Sequence, residues 1–270
     1  MRFVLSSALL ASMLALPATA LEEWGVTAST ATADCPSFCT SFAFGPFDGA
    51  LLDVDASSEI SNGRGNARAS ASLDPSGGIS VPLLRAEAYS ANTGVGSAFG
   101  TALAVEGYTY TGPGADFTLE VALSGSISDP TPGDNDTTIH AQIYVFQEAP
   151  FAFSSDLGTL IFEYGAIEID STVLSLGANL GATSANGSVS FSLANGESVY
   201  LWAKLNADAE RELSFADAFS TLSLAFQDAT GLQAASAVPE PASGGLLGLG
   251  LLALALRRRA REELPHISRG

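Results

Sequence analysis

The sequence predicts an all-β fold, an antiparallel β-sandwich or jelly-roll-like single domain. Three observations carry this. Period-two alternation of apolar and polar residues recurs along the middle of the chain, helical periodicity is nearly absent between residues 25 and 230, and turn-forming dipeptides punctuate the alternating runs. Alternation places successive side chains on opposite faces of a pleated strand, so one face is buried and the other meets solvent.

The elements follow in chain order. Residues 26–45 are rich in Ala, Thr, Ser and Phe with weak alternation, which reads as a loop or an edge strand. Residues 61–73 carry Gly65, Ala67, Ala69 and Ala71 at every second position; small side chains on one face mean close sheet packing or an edge. In Ala115–Ser124, Phe117, Leu119, Val121 and Leu123 share a face. In Thr138–Phe146, Ile139, Ala141, Ile143 and Val145 oppose His140, Gln142, Tyr144 and Phe146. Gly187–Leu193 and Ser198–Leu205 alternate likewise, and Asn195-Gly196 between them predicts a hairpin, because Asn-Gly supplies the positive φ of tight turns. Asp74–Gly78, Gly112-Pro113-Gly114 and Asp129–Asp136 mark further turns.

The two ends do not read as parts of this fold. Arg2, the apolar run Phe3–Leu16, the break at Pro17 and the small residues Ala18-Thr19-Ala20 form a secretory signal peptide, residues 1–20. The β domain then spans 21–233 and a tail spans 234–270, with the composition changing near residue 228. Between residues 21 and 236, 26 acidic residues stand against five basic ones (Arg64, Arg68, Arg85, Lys204, Arg211). A body this acidic repels a phosphate backbone, so nucleic acid is excluded as a partner. Solubility outside the cell and attraction of divalent cations are the two readings of the acidity.

Cys35 and Cys39 are the chain's two cysteines. Export brings them to an oxidising compartment, and no further Cys or His lies near enough for a metal site, so a local disulfide is expected.

The tail has three parts in a fixed order: Val238-Pro239-Glu240-Pro241-Ala242, the 13-residue apolar run Gly244–Leu256, and Arg257-Arg258-Arg259. As a helix the run is about 20 Å long, short of the roughly 20 residues that span a bilayer. The arginines hold its end on the cytoplasmic side. This order, in a chain with a signal peptide, resembles the PEP-CTERM sorting signal. The resemblance covers about the last 33 residues; Ala260–Gly270 extends beyond the pattern. It implies recognition by an exosortase, a membrane-embedded cysteine protease-like sorting enzyme, a transient inner-membrane anchor, and association with exopolysaccharide in Gram-negative bacteria. The body is similar to the Ser/Ala/Gly-rich β domains that often precede this signal, and Ala216–Leu224 resembles their last strand. The other reading of the tail is a plain tail anchor.

The search for chemistry gives little. His140 is the one histidine of the mature domain, within a strand pattern, and no G-x-S-x-G, H-E-x-x-H or phosphate loop is present. The expectation is therefore not an enzyme, with no cofactor. Glu163, Glu168 and Asp170 are the carboxylates with the least solvent-like contexts, but with so many acids some pair always has a suitable spacing. Asp129, Asp134 and Asp136, with Asn135, gather oxygen ligands of the kind calcium takes, without an EF-hand pattern; an ordinary turn needs the same residues. Tyr200 and Trp202 share a strand face, where they either stack on sugar rings or pack against other protein groups. The resulting expectation is an exported cell-surface or extracellular-matrix protein, structural or adhesive and associated with exopolysaccharide or biofilm. The alternatives are a carbohydrate-binding module and, third, a secreted hydrolase.

Overall fold

A computed structural model describes residues 24–34, 41–45, 55–73, 79–91, 96–130, 137–147, 151–153, 160–162, 167–177, 183–210, 213–219 and 222–237. The signal peptide, Cys35, Cys39, Asp134, Asp136, Glu163 and the tail beyond Ala237 lie outside the described residues. The chain divides into residues 1–236 and 237–270.

Every strand pairing in the first unit is antiparallel. One layer is a seven-stranded sheet in the order β12 (Glu168–Gly177), β9 (Thr138–Phe146), β14 (Ser198–Glu210), β6 (Gly96–Tyr110), β1 (Gly25–Asp34), β2 (Ser41–Phe44), with β17 (Leu232–Ala234) also paired to β6. The opposite layer has two parts. One is a five-stranded sheet, β3 (Asp55–Asn62), β4 (Gly65–Leu73), β5 (Pro82–Ser90), β15 (Phe215–Ala218), β8 (Ser126–Ser128). The other has three strands, β13 (Ser184–Leu193), β7 (Ala115–Ser124), β16 (Leu222–Phe226). A short pair, β10 (Phe151–Phe153) and β11 (Leu160–Phe162), stands as a separate two-stranded ladder. This is the antiparallel sandwich that the alternation predicts.

Side-chain size sets how the layers meet. Over the five-stranded sheet the interface is built from alanine: Ala67, Ala69, Ala71, Ala86, Ala88, Ala216 and Ala218 face Ala28, Ala98, Ala102, Ala104, Ala203, Ala207 and Ala209, all buried. Here the layers come so close that a Cβ on Gly100 of β6 would stand 2.9 Å from the backbone carbonyl oxygens of both Arg68 and Glu87. Against the three-stranded sheet the core uses large side chains, Phe117, Leu119, Val121, Leu123, Val189, Phe191 and Leu193 among them. These are the residues that alternation assigns inward.

Three expectations change. Residues 25–34 are a strand and not a loop: β1 pairs with β6 along its whole length and with β2 on its other side from Ala31 to Asp34, while β2, at 41–44, is the edge strand that the sequence allows for this region. Alternation is weak there because Val26, Thr27 and Ala28 are all buried, so both faces of the strand are covered. The turn at Asn195-Gly196 exists, with φ of 82° at Gly196, but it joins no hairpin. β13 pairs with β7 while β14 pairs with β6 and β9, so the turn carries the chain from one layer to the other. Ala216–Leu224 is not a single strand: β15 pairs in the five-stranded sheet and β16 in the three-stranded one.

Strand pairing continues one residue past 233, the end of the β domain as read from the sequence. Ala234 pairs with Tyr108, and a 3-10 turn, Ala235–Ala237, follows.

Candidate functional site

The outer face of the seven-stranded sheet gathers most of the chemistry-bearing residues. β14 sends its odd-numbered residues inward, so Tyr200, Trp202, Lys204, Asn206 and Asp208 all point outward. Register then sets their neighbours. Trp202 lies between Tyr144 of β9 and Val105 of β6, and Asn206 lies between His140 and Thr101. The face thus has an apolar half, where Leu103, Val105, Phe146 and Trp202 form a second buried cluster with Tyr144 and Tyr200 packed against it. Tyr144 meets Trp202 edge-on at 5.4 Å between ring centres. Trp202 is 3% exposed, so packing accounts for it, and Tyr200 is half-buried.

The other half is polar. The His140 ring nitrogen Nδ1 lies 2.8 Å from the Ser175 hydroxyl, and Thr101 donates to the Asn206 side-chain oxygen at 3.0 Å. Burial pushes the His140 imidazole and the Lys204 ammonium below their ordinary values. Burial and the neighbouring Glu210 charge raise the Asp208 carboxyl to about 6. A Ser–His contact is the start of a nucleophile–base pair. Acyl transfer also requires donors aimed at the developing oxyanion, from backbone N–H groups or from side chains. His140 and Ser175 sit opposite each other in the paired β9–β12 ladder, with β12 at the edge of the sheet.

The remaining sequence candidates scatter. Asp170 accepts the Ser190 N–H at 2.7 Å, a contact that occupies part of the backbone edge of β13, and Glu168 is exposed. Asp129 follows β8, away from this face. Among the described residues no group of three or more His, Cys, Asp or Glu is placed to hold a metal.

Residue-by-residue inspection of the sequence misses Glu106. It lies in β6 on the inward face, in phase with Ala102, Ala104 and Tyr108, and is 0% exposed. A lone acid at an inward position of an otherwise small and apolar series is the signal that identifies it. Its carboxylate accepts the Ser236 backbone N–H at 3.0 Å and the Ser236 hydroxyl, and the Ser80 hydroxyl lies beside it. Burial raises its pKa from 4.5 to about 7, against the lowering effect of these hydrogen bonds. Burial and the Glu106 charge together hold the Tyr108 phenol well above its usual value, while its hydroxyl donates to the Ser80 carbonyl at 2.8 Å.

A pH dependence follows. Below pH 4.5 Glu106 is protonated in both the folded and unfolded chain. As pH rises toward 7 the unfolded chain loses this proton while the folded one keeps it. Glu106 therefore subtracts stability across that window, by about 3 kcal/mol in all, and the loss levels off above pH 7. Glu106→Gln mimics the protonated form. It should gain stability over wild type between pH 5 and pH 8, as read from urea midpoints. Asp208 gives a slope of the same sign, so the wild-type minus variant difference isolates Glu106. Parallel midpoint curves for the two proteins would contradict this account.

The comparisons with known proteins concern the tail. Residues 237–259 match the family model of the PEP-CTERM protein-sorting motif. The match begins one residue after Ser236, where the chain divides. No curated protein matches the chain.

Proposed function

We propose that this chain, which carries a PEP-CTERM protein-sorting motif at residues 237–259, is exported, held briefly in the inner membrane, cleaved by an exosortase and delivered to the cell surface or the extracellular matrix. There the β-sandwich acts as a structural or adhesive component associated with exopolysaccharide, not as an enzyme. The observation that carries this reading is the order of parts: a sorting motif that begins at residue 237, three residues after the last described strand of the sandwich, β17. The acidity of the body suits a solvated protein outside the cell. Intact-mass analysis of the surface-exposed or secreted form tests the proposal. The expected C-terminus lies at or close to Pro239–Ala242. A mature extracellular form that retains Arg257–Arg259 would refute it in favour of a tail anchor.

A carbohydrate-binding module is the second reading, favoured by the partly buried rings of Tyr144 and Tyr200 beside the polar row on the outer sheet face. Rings flanked by hydrogen-bonding groups are what a sugar surface requires. On this reading Tyr200→Ala reduces co-sedimentation with the host's exopolysaccharide by tenfold or more and leaves the thermal midpoint within a few degrees. Unchanged co-sedimentation would remove Tyr200 from any sugar contact.

A further inference from the structure

β6 has two partners on the same side, β1 and the three-residue β17, and they leave a gap. β1 runs along it from Gly25 opposite Val105, and β17 ends at Ala234 opposite Tyr108. Glu106 and Gly107 lie between. Both partners run antiparallel to β6, so the start of β1 and the end of β17 point toward each other across the gap. The first residues of the mature body and its last ones therefore leave the same stretch of one strand.

Glu106 fills the gap from inside. Its two carboxylate oxygens engage the backbone N–H and the hydroxyl of Ser236. A Cβ on Gly107 would lie 3.4 Å from the Ala235 Cβ, so the turn after β17 seats closely over this glycine. Three residue pairs hold β17 to β6, a length that frays when nothing else secures it. With Ser236 seated the Glu106 carboxylate has no exposure, so its oxygens depend on partners within the protein. The lock is therefore stronger than the strand pairing alone.

We propose that Glu106 is a positioning residue for C-terminal processing: it holds Ser236 in the gap between β1 and β17, ends the folded body at one point, and presents Val238–Pro241 to the processing enzyme from there. This rests on the sorting reading above. Pro239 is three residues past Ser236, within about 10 Å of it along an extended chain. On this reading two residues separate Ser236 from Pro239, and residues upstream of Ser236 are withheld from the processing enzyme.

The test uses the full chain, with signal peptide and tail, in a host with an active exosortase. Wild type, Glu106→Leu, Glu106→Gln and Ser236→Ala are compared by intact mass of the processed form and by hydrogen exchange of the recovered protein. Wild type should give one C-terminus beyond Ser236. Glu106→Leu should speed exchange of the Leu232–Ser236 amides at least tenfold, with β7 and β14 still protected, and should spread the C-terminus or cut the processed fraction severalfold. Glu106→Gln, which keeps an acceptor, should restore the single terminus. If Glu106→Leu fails to accumulate, Ser236→Ala carries the same expectation with a smaller effect. A single wild-type terminus at wild-type yield in every variant, with β17 protection lost, makes the contact purely structural and overturns the proposal. Unchanged β17 protection overturns it too. Wild type that remains at full length refutes the sorting reading and the positioning role with it, while the exchange data still report whether Glu106 holds Ser236.

Discussion

Replacing Pro239-Glu240-Pro241 by three alanines leaves the protein at full length in the inner-membrane fraction, with the mature extracellular form reduced at least tenfold. The effect is large because the parts of the tail work only together. Each proline lacks an N–H and biases the residue before it toward extended geometry, so the segment resists helix formation. An extended segment is what a processing enzyme can take into its site. Three alanines remove that barrier and favour helix formation across the segment before Gly244. The 13-residue run and the three arginines remain, so insertion and orientation continue while cleavage stops. Fractionation with intact-mass analysis reads the outcome. Undiminished release of a form ending near residue 240 would show that the tripeptide is dispensable.

The second large effect is at Gly100. Gly100→Ala should cost about 3 kcal/mol, and Gly100→Val should prevent accumulation of folded protein. The added Cβ meets two carbonyl oxygens at 2.9 Å, and both belong to backbone already paired within the β4–β5 ladder. A flexible side chain could swing away; a laddered carbonyl cannot move without shifting its sheet. Expressed as a melting temperature, the alanine variant should fall by roughly 10 °C, given the size of the body. Gly63→Ala is the control, because a Cβ there meets nothing within 4 Å. Equal melting temperatures for the two alanine variants would show that the layers are not as close as the alanine interface implies.

The strands with one wet face are legible from the chain alone. β7 and β9 alternate cleanly because Phe117–Leu123 and Ile139–Val145 face the core while Thr118, Glu120, His140 and Gln142 do not. β1 is not legible, since both its faces are covered and nothing selects for alternation. The false hairpin has a similar cause. An Asn-Gly turn reverses the chain, and two strands with one apolar face each can bury those faces side by side in one sheet or face to face across a core. Turn chemistry is the same in both cases, so only the register of β7 with β13 and of β6 with β14 separates them. Glu106 was missed for a related reason: its sequence neighbours show only the phase of the strand, and its partner Ser236 is 130 residues away.

The tail is the opposite case. Its prolines, apolar run and arginines act through chain stiffness, length and charge, properties of a contiguous segment, and the family match at 237–259 falls where the sequence places it. The alternating faces of the strands and the sorting tail are therefore legible without any coordinates, because both depend on residues close together along the chain. The tertiary structure decided which strands share a sheet, how closely the alanine layers approach, and that a buried carboxylate ties down the last residue before the tail. Each of these is a contact between distant segments, whose energy comes from desolvation and packing that no local pattern encodes.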